Sequence, residues 1–214
     1  RNIICKKVGL DPEKEIVLFF AGGQFGLGRS VTLKILDTLI NISNELQVVA
    51  ISGRNPKMYG MFNNIVEKEG VNNRIKVLEF TDKVPELMSI SKFVITKAGG
   101  LTLTESLTSG LPIIIINPIP GQEEENAEFL EENGVAIWIR KDDNVQEIFE
   151  NLSIEKLKTM KENTKKIVRE KIKYLYPSAE ICEENKNIRF DVKDDEINEF
   201  YKIKTEDMYS LTKN

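Results

Sequence analysis

Short runs of aliphatic and β-branched residues recur along this chain, each followed by a longer stretch of helical periodicity. The runs fall at residues 16–21, 47–52, 75–79, 93–96, 113–117 and 135–139. Most are apolar throughout rather than alternating, as expected of strands covered on both faces. Helical patterns occupy residues 30–44, 56–69, 86–90, 102–109, 123–133 and 145–150. Strand and helix taking turns in this way predict an α/β domain with a doubly wound, mostly parallel, Rossmann-like sheet. A Lys-rich helix is expected over 154–174, with Leu157, Met160, Ile167 and Val168 on its apolar stripe, and a short helix over 179–184. The expected organisation is one domain over residues 1–185 and a charged tail or docking arm over 186–214.

Composition removes several function classes. The chain has 214 residues and a formal charge of −4, so it lacks the basic field of a nucleic-acid binder. Its longest apolar runs are far too short to cross a bilayer. Cys5 and Cys182 are too few for a disulfide framework, and they read as free thiols of a cytoplasmic protein. There is no histidine, so a mechanism that uses imidazole as general base must take it from elsewhere. No cofactor, metal site or catalytic residue is expected within the chain. The start at Arg1, with no initiator Met, reads as a portion of something longer.

Open α/β sheets bind ligands at the carboxyl ends of their strands, so three loops there are candidates. The first, Ala21-Gly-Gly-Gln-Phe-Gly-Leu-Gly-Arg-Ser30, joins a strand to a helix and contains Gly22, Gly23, Gln24 and Gly26. Glycines let a backbone approach a phosphate, although they also serve a tight turn. The loop departs from a P-loop, because Arg29 replaces the lysine, and from the dinucleotide fingerprint, because Val31 replaces the third glycine. Arg54, after the second strand, suits a 2′-phosphate and leaves an NADP site open.

The second loop, Thr96-Lys-Ala-Gly-Gly-Leu-Thr-Leu-Thr-Glu-Ser106, is more specific. A strand runs into Gly99-Gly100 and a helix follows, which aims the N–H groups of Leu101 and Thr102 at any anion in the crevice. Lys97 adds a positive charge nearby. Glu105 can accept from two vicinal hydroxyls, but Thr102-x-x-Glu105 is also a capping box, and spacing leaves both roles open. In the third loop, Asn117-Pro-Ile-Pro-Gly-Gln-Glu-Glu-Glu-Asn126, the amides of Gln122 and Asn126 flank Glu123 in a combination suited to a sugar ring. Glu124 and Glu125 read as an acidic first turn that complements the helix dipole.

The segments AGGQFGLGR, ISGRN, KAGGLTLTE, PIPGQEEENA and NGVAIW resemble the carboxy-terminal half of one glycosyltransferase group. That group includes processive diacylglycerol glucosyltransferases, monogalactosyldiacylglycerol synthases and the N-acetylglucosaminyltransferase of peptidoglycan precursor synthesis. The resemblance covers most of residues 15–140, and PGQE followed by Asn126 is closer to the diacylglycerol enzymes. It implies a GT-B architecture, with two Rossmann-like domains facing across a cleft, of which this chain is the donor-binding one. Carried over by position, main-chain groups near Phe80 read the uracil and Arg54 shapes the nucleotide pocket. Gly99, Gly100, Leu101 and Thr102 form the diphosphate turn, and Glu105 takes the ribose hydroxyls. Gln122 and Glu123 hold the hexose, with Asn126 and the Gly22–Gly26 loop as neighbours on the phosphate and acceptor sides.

The implied partners are UDP-glucose or UDP-galactose and a lipid acceptor, diacylglycerol, held by an amino-terminal domain that also supplies the base. The implied location is the cytoplasm, peripheral on the inner face of the cell membrane, with the Lys-rich helix as a candidate membrane contact. Two other readings compete. One is a non-catalytic nucleotide-binding module, regulatory or NADP-linked. The other keeps the transferase and makes the acceptor a peptidoglycan precursor.

Overall fold

Strands that are apolar on both sides need helices on both faces of their sheet. The computed structural model, which describes residues 1–21, 28–42, 46–175, 180–184 and 187–191, has that layout. The chain runs through α1 (Asn2–Val8), β1 (Glu15–Phe20), α2 (Arg29–Ile42), β2 (Leu46–Ile51), α3 (Pro56–Lys68) and β3 (Ile75–Leu78). It returns through α4 (Val84–Ile90), β4 (Phe93–Thr96), α5 (Gly100–Thr108), β5 (Ile113–Ile116), α6 (Gln122–Glu132) and β6 (Ala136–Ile139). It then continues with α7 (Val145–Glu150), α8 (Ile154–Leu175), β7 (Glu180–Glu184) and β8 (Asn187–Asp191).

The first six strands form one sheet in the order β3-β2-β1-β4-β5-β6, with every pairing parallel. The chain builds outward from β1 to β3, then returns to lay β4 on the other side of β1. That reversal is a topological switch point, and it opens a crevice at the carboxyl ends of β1 and β4.

Alternate residues of each strand feed opposite layers. Ile16 and Leu18 join a core with Val49, Val94, Ile113 and Ile115. Val17 and Phe19 join another with Val48, Ile95, Ile114 and Ile116. Phe19 stacks on Phe62 of α3, ring centroids 6.0 Å apart, and so locks the second layer to the sheet.

The apolar stripe expected on α8 is buried, and it serves both layers. Leu157 and Met160 pack with Phe93 and Phe149, while Ile167 and Val168 pack with Leu107 and Leu111. Between them Asn163 Nδ2 donates to Gly134 O at 3.1 Å. Gly134 has φ +64, and a Cβ there would sit 2.7 Å from Asn163 Nδ2, so a side chain would be strained and would displace Asn163. Gly134 leads into β6, which places this part of α8 along the amino edge of the sheet, opposite the crevice.

Two expectations change. Residues 180–184 form a strand rather than a helix, because they pair antiparallel with β8, Ile181 opposite Phe190 and Cys182 opposite Arg189. The boundary expected at 185/186 lies outside the described residues. The chain also opens with a helix, α1, which its short apolar content did not signal; it buries Cys5 and closes on Gly9 in the left-handed conformation at φ 69°. Cys5 is a free thiol.

Candidate functional site

The site grows from the ends of the central strands. β4 ends at Thr96, and the chain turns through Lys97 and Ala98 to Gly99, the N-cap of α5, in an extended conformation at φ −73°, ψ 131°. Glycine has no side chain to fold back on the helix, so α5 starts without a side-chain cap. Its first amides, those of Gly100, Leu101 and Thr102, are left with the positive end of the helix dipole and no acceptor among the described residues.

This start excludes the capping box read from Thr102 and Glu105. Thr102 is the third residue of the helix, not its cap, because Gly99 already breaks the helical conformation. Glu105 is freed for another role. It shares a helix face with Leu101 and Thr102 by the i, i+3 and i, i+4 spacing. Its carboxyl is half-buried, and burial raises its pKa above the ordinary glutamate value. No hydrogen bond or ion pair to that carboxyl is formed among the described residues. The hydroxyls of Thr104 and Ser106 bond back to the carbonyls of Gly100 and Thr102, at 2.9 and 2.7 Å, and are spent inside the helix.

The third loop leaves β5 through Asn117, held at φ 45°, and enters α6 through Gly121 at φ 96°. Gly28, at the end of the first loop, comes close to it: a Cβ there would lie 4.0 Å from Asn117 Nδ2. Glu123 has both carboxylate oxygens engaged. Lys97 Nζ donates to Oε1 at 2.9 Å, and the Ile119 N–H donates to Oε2 at 2.9 Å. Asn126, only 1% exposed, donates from Nδ2 to Ala98 O at 3.1 Å, and its buried Oδ1 has no partner among the described residues. In this conformation Asn126 holds the Lys97–Gly99 turn and is closed off from solvent. Gln122 is exposed. Glu124 Oε2 accepts from the Gly121 N–H at 3.4 Å, in keeping with a first-turn role for that acid.

Arg54 and Phe80 meet beyond the ends of β2 and β3. The guanidinium carbon lies 4.8 Å from the ring centroid, and the ring itself is 63% exposed. The structure thus joins Lys97–Glu105 to Gln122–Asn126, and separately joins Arg54 to Phe80, all on the carboxyl edge. Gly22, Gly23, Gln24 and Gly26 lie outside the described residues.

The Lys97–Glu123 ion pair is the feature that the sequence reading did not reach, since Lys97 was placed only as a nearby charge. Its signal is faint: opposite charges in two loops that follow neighbouring strands. No cluster of His, Cys, Asp and Glu able to hold a metal ion occurs among the described residues.

Strand order and a glycine-opened helix at the switch point define a Rossmann-type domain whose crevice faces the uncapped start of α5. Residues 17–180 match the glycosyltransferase family 28 C-terminal domain, and the chain belongs to that family. It is 34% identical over 169 residues to a processive diacylglycerol beta-glucosyltransferase of Bacillus pumilus, covering 78% of this chain and 43% of that protein. It is 38% identical over 125 residues to the enzyme of the same name from Staphylococcus aureus, covering 58% of this chain and 31% of that protein. The chain thus spans less than half the length of these relatives.

Among solved structures it resembles Anabaena HepE in complex with UDP-glucose, with a TM-score of 0.61 at 17% identity over 79% of this chain and 47% of that one. It also resembles Acinetobacter baumannii MurG, with a TM-score of 0.60 at 21% identity over 72% of this chain and 48% of that one. The expected doubly wound fold and the family resemblance are both borne out.

Proposed function

We propose that this chain is the donor-binding domain of a glycosyltransferase that passes a hexose from UDP to diacylglycerol. The observation that carries this reading is the uncapped start of α5 beside an unpartnered, half-buried Glu105 at the switch point. The amides of Leu101 and Thr102 would bind the diphosphate. As the glycosidic bond to UDP breaks, negative charge grows on the departing phosphate, and the α5 amides and dipole stabilise it in place. Glu105 would accept from the two ribose hydroxyls, and the Arg54–Phe80 pair would border the base. Gln122 and Glu123 would meet the hexose. The acceptor hydroxyl needs a base, which this reading assigns to another domain of the protein.

The curated relatives named for diacylglycerol glucosylation favour glucose as the sugar and a lipid as the acceptor. A galactose donor remains the alternative within the same site. A non-catalytic or NADP-linked module is disfavoured by the broken dinucleotide pattern and by the family match.

A thermal-shift panel tests the reading. UDP and UDP-glucose should raise the melting temperature while ADP and NADP leave it unchanged. Stabilisation by NADP alone would overturn it.

For the membrane, no described helix is long and apolar enough to cross a bilayer. A peripheral contact through α8 is the finer proposal, supported by exposed Lys156, Lys158, Lys161 and Lys166, with Glu155, Glu162 and Glu170 interspersed. Co-sedimentation with vesicles should then rise with their anionic lipid content. Sedimentation independent of lipid charge would remove the contact.

A further inference from the structure

Glu123 is pinned by two different loops. One oxygen takes the ammonium of Lys97 from the turn before α5, and the other takes the Ile119 N–H from the turn before α6. Glu123 occupies the first turn of α6, where free helix amides compete for a carboxylate. Without the lysine, nothing described here would hold Oε1 toward the α5 turn. Both groups are largely withdrawn from solvent, with side-chain exposures of 24% for Lys97 and 16% for Glu123, so screening weakens the pair less than it would at the surface.

The pairing also sets where the carboxylate lies. A Cβ built on Gly99 would sit 3.6 Å from Glu123 Oε1, so the acid rests against the N-cap of the diphosphate turn. A hexose attached to a diphosphate at that turn would lie within reach of Glu123. Each carboxylate oxygen offers two acceptor sites and gives one to its internal donor, which leaves one on each for a sugar hydroxyl.

We infer that Lys97 is a positioning residue that sets donor-sugar recognition by holding Glu123 against the α5 turn. The inference rests on the donor-binding reading above. Lys97 acts through the carboxylate and does not grip the diphosphate, so it should govern the preference for UDP-hexose relative to UDP, not affinity for both.

The test is calorimetric titration of the full chain with UDP and with UDP-glucose, for the wild type, Lys97→Met, Glu123→Gln and the double variant. Lys97→Met should leave UDP affinity within about twofold and weaken UDP-glucose by about tenfold, the loss expected for a charge-assisted hydrogen bond. Preserved UDP binding in the same samples shows that the variant is folded. Adding Lys97→Met to Glu123→Gln should change the ratio of the two affinities by less than about twofold, since the group it acts through is already altered. Equal losses for UDP and UDP-glucose would overturn the inference, because Lys97 would then serve the diphosphate. An unchanged ratio in Lys97→Met would overturn it as well. In both cases UDP still binds and the donor-site reading stands. Absence of UDP binding to the wild type would overturn both together.

Discussion

The two edges of the sheet treat their polar groups in opposite ways. At the amino edge, the side chains of Gln47, Arg1 and Arg74 all have internal partners. Gln47 Oε1 accepts from the Asp11 N–H and its Nε2 donates to Asp11 O, each at 2.8 Å. Arg1 donates to Pro12 O, Lys14 O and Ile90 O at 2.7, 2.5 and 2.9 Å. Buried Arg74 donates to the carbonyls of Leu39 and Ile40, capping the end of α2, while α8 runs alongside and joins both cores.

At the carboxyl edge, the α5 amides and the Glu105 carboxyl lack partners among the described residues, and Phe80, Leu101 and Ile119 stand exposed. Groups left unpaired and apolar side chains left uncovered cost stability, and a fold keeps them where a ligand completes them. On the donor-binding reading proposed above, one edge serves stability and the other serves binding. Substitutions on the first should change melting and leave affinity alone, and those on the second should do the reverse.

The largest expected effect is at Arg74. Arg74→Met leaves two helix-end carbonyls without their donor and should cost about 2–4 kcal/mol of unfolding free energy. Denaturant titration measures this, and UDP affinity well below the melting point should not move. A loss of affinity without a loss of stability would erase the distinction between the edges.

Next is Glu105. Glu105→Gln should weaken UDP by about 10- to 100-fold, the scale of a hydrogen bond to a charged group, while 2′-deoxyuridine diphosphate loses less. Stability at neutral pH should hold or rise slightly. Burial raises the Glu105 pKa, so the charged form is the disfavoured one in the free protein, and its contribution to stability declines as pH rises through that value. Ribose hydroxyls favour the charged form and lower the pKa on binding. UDP-glucose, whose diphosphate diester stays ionised over this range, should therefore bind with level affinity above the free-protein pKa and more weakly as pH descends through it, a dependence that Glu105→Gln abolishes. Calorimetry across the acidic range checks the sign.

Much of this division was legible in the sequence. The six strands stood out because a parallel strand buried on both faces needs apolar residues at every position, as in Ile113–Ile116. The stripe on α8 was legible for the same reason of burial. The binding loops were located by glycines at strand ends.

What escaped were features set by tertiary or weak local signals. The cap of α5 is Gly99, which bears no polar side chain to advertise it, so spacing alone left Thr102 open as a cap. The Lys97–Glu123 pair joins residues 26 positions apart through β4–β5 adjacency. The β7–β8 pair is rich in charge, and it is defined by antiparallel pairing rather than by composition. The burial of Asn126 and its bond to Ala98 O come from tertiary packing that its sequence position does not display.

Smaller effects sharpen the contrast. Gln47→Ala removes a buried pair of backbone contacts and should cost about 1–2 kcal/mol in stability, read as a lower denaturation midpoint, with UDP affinity unchanged. Arg54→Ala gives up an exposed cation–π contact and should cost less than about 1 kcal/mol in stability. If the Arg54–Phe80 pair borders the base, UDP affinity falls a few-fold. A stability loss larger than the affinity loss would assign the pair to the scaffold.

The decisive measurement is a crystal of this protein soaked with uridine diphosphate. Density for the diphosphate should lie within hydrogen-bond distance of the Leu101 and Thr102 N–H groups, with the ribose hydroxyls on Glu105. A diphosphate bound elsewhere, or an α5 start that stays unfilled at saturating ligand, would contradict the assignment of the carboxyl edge as the donor site.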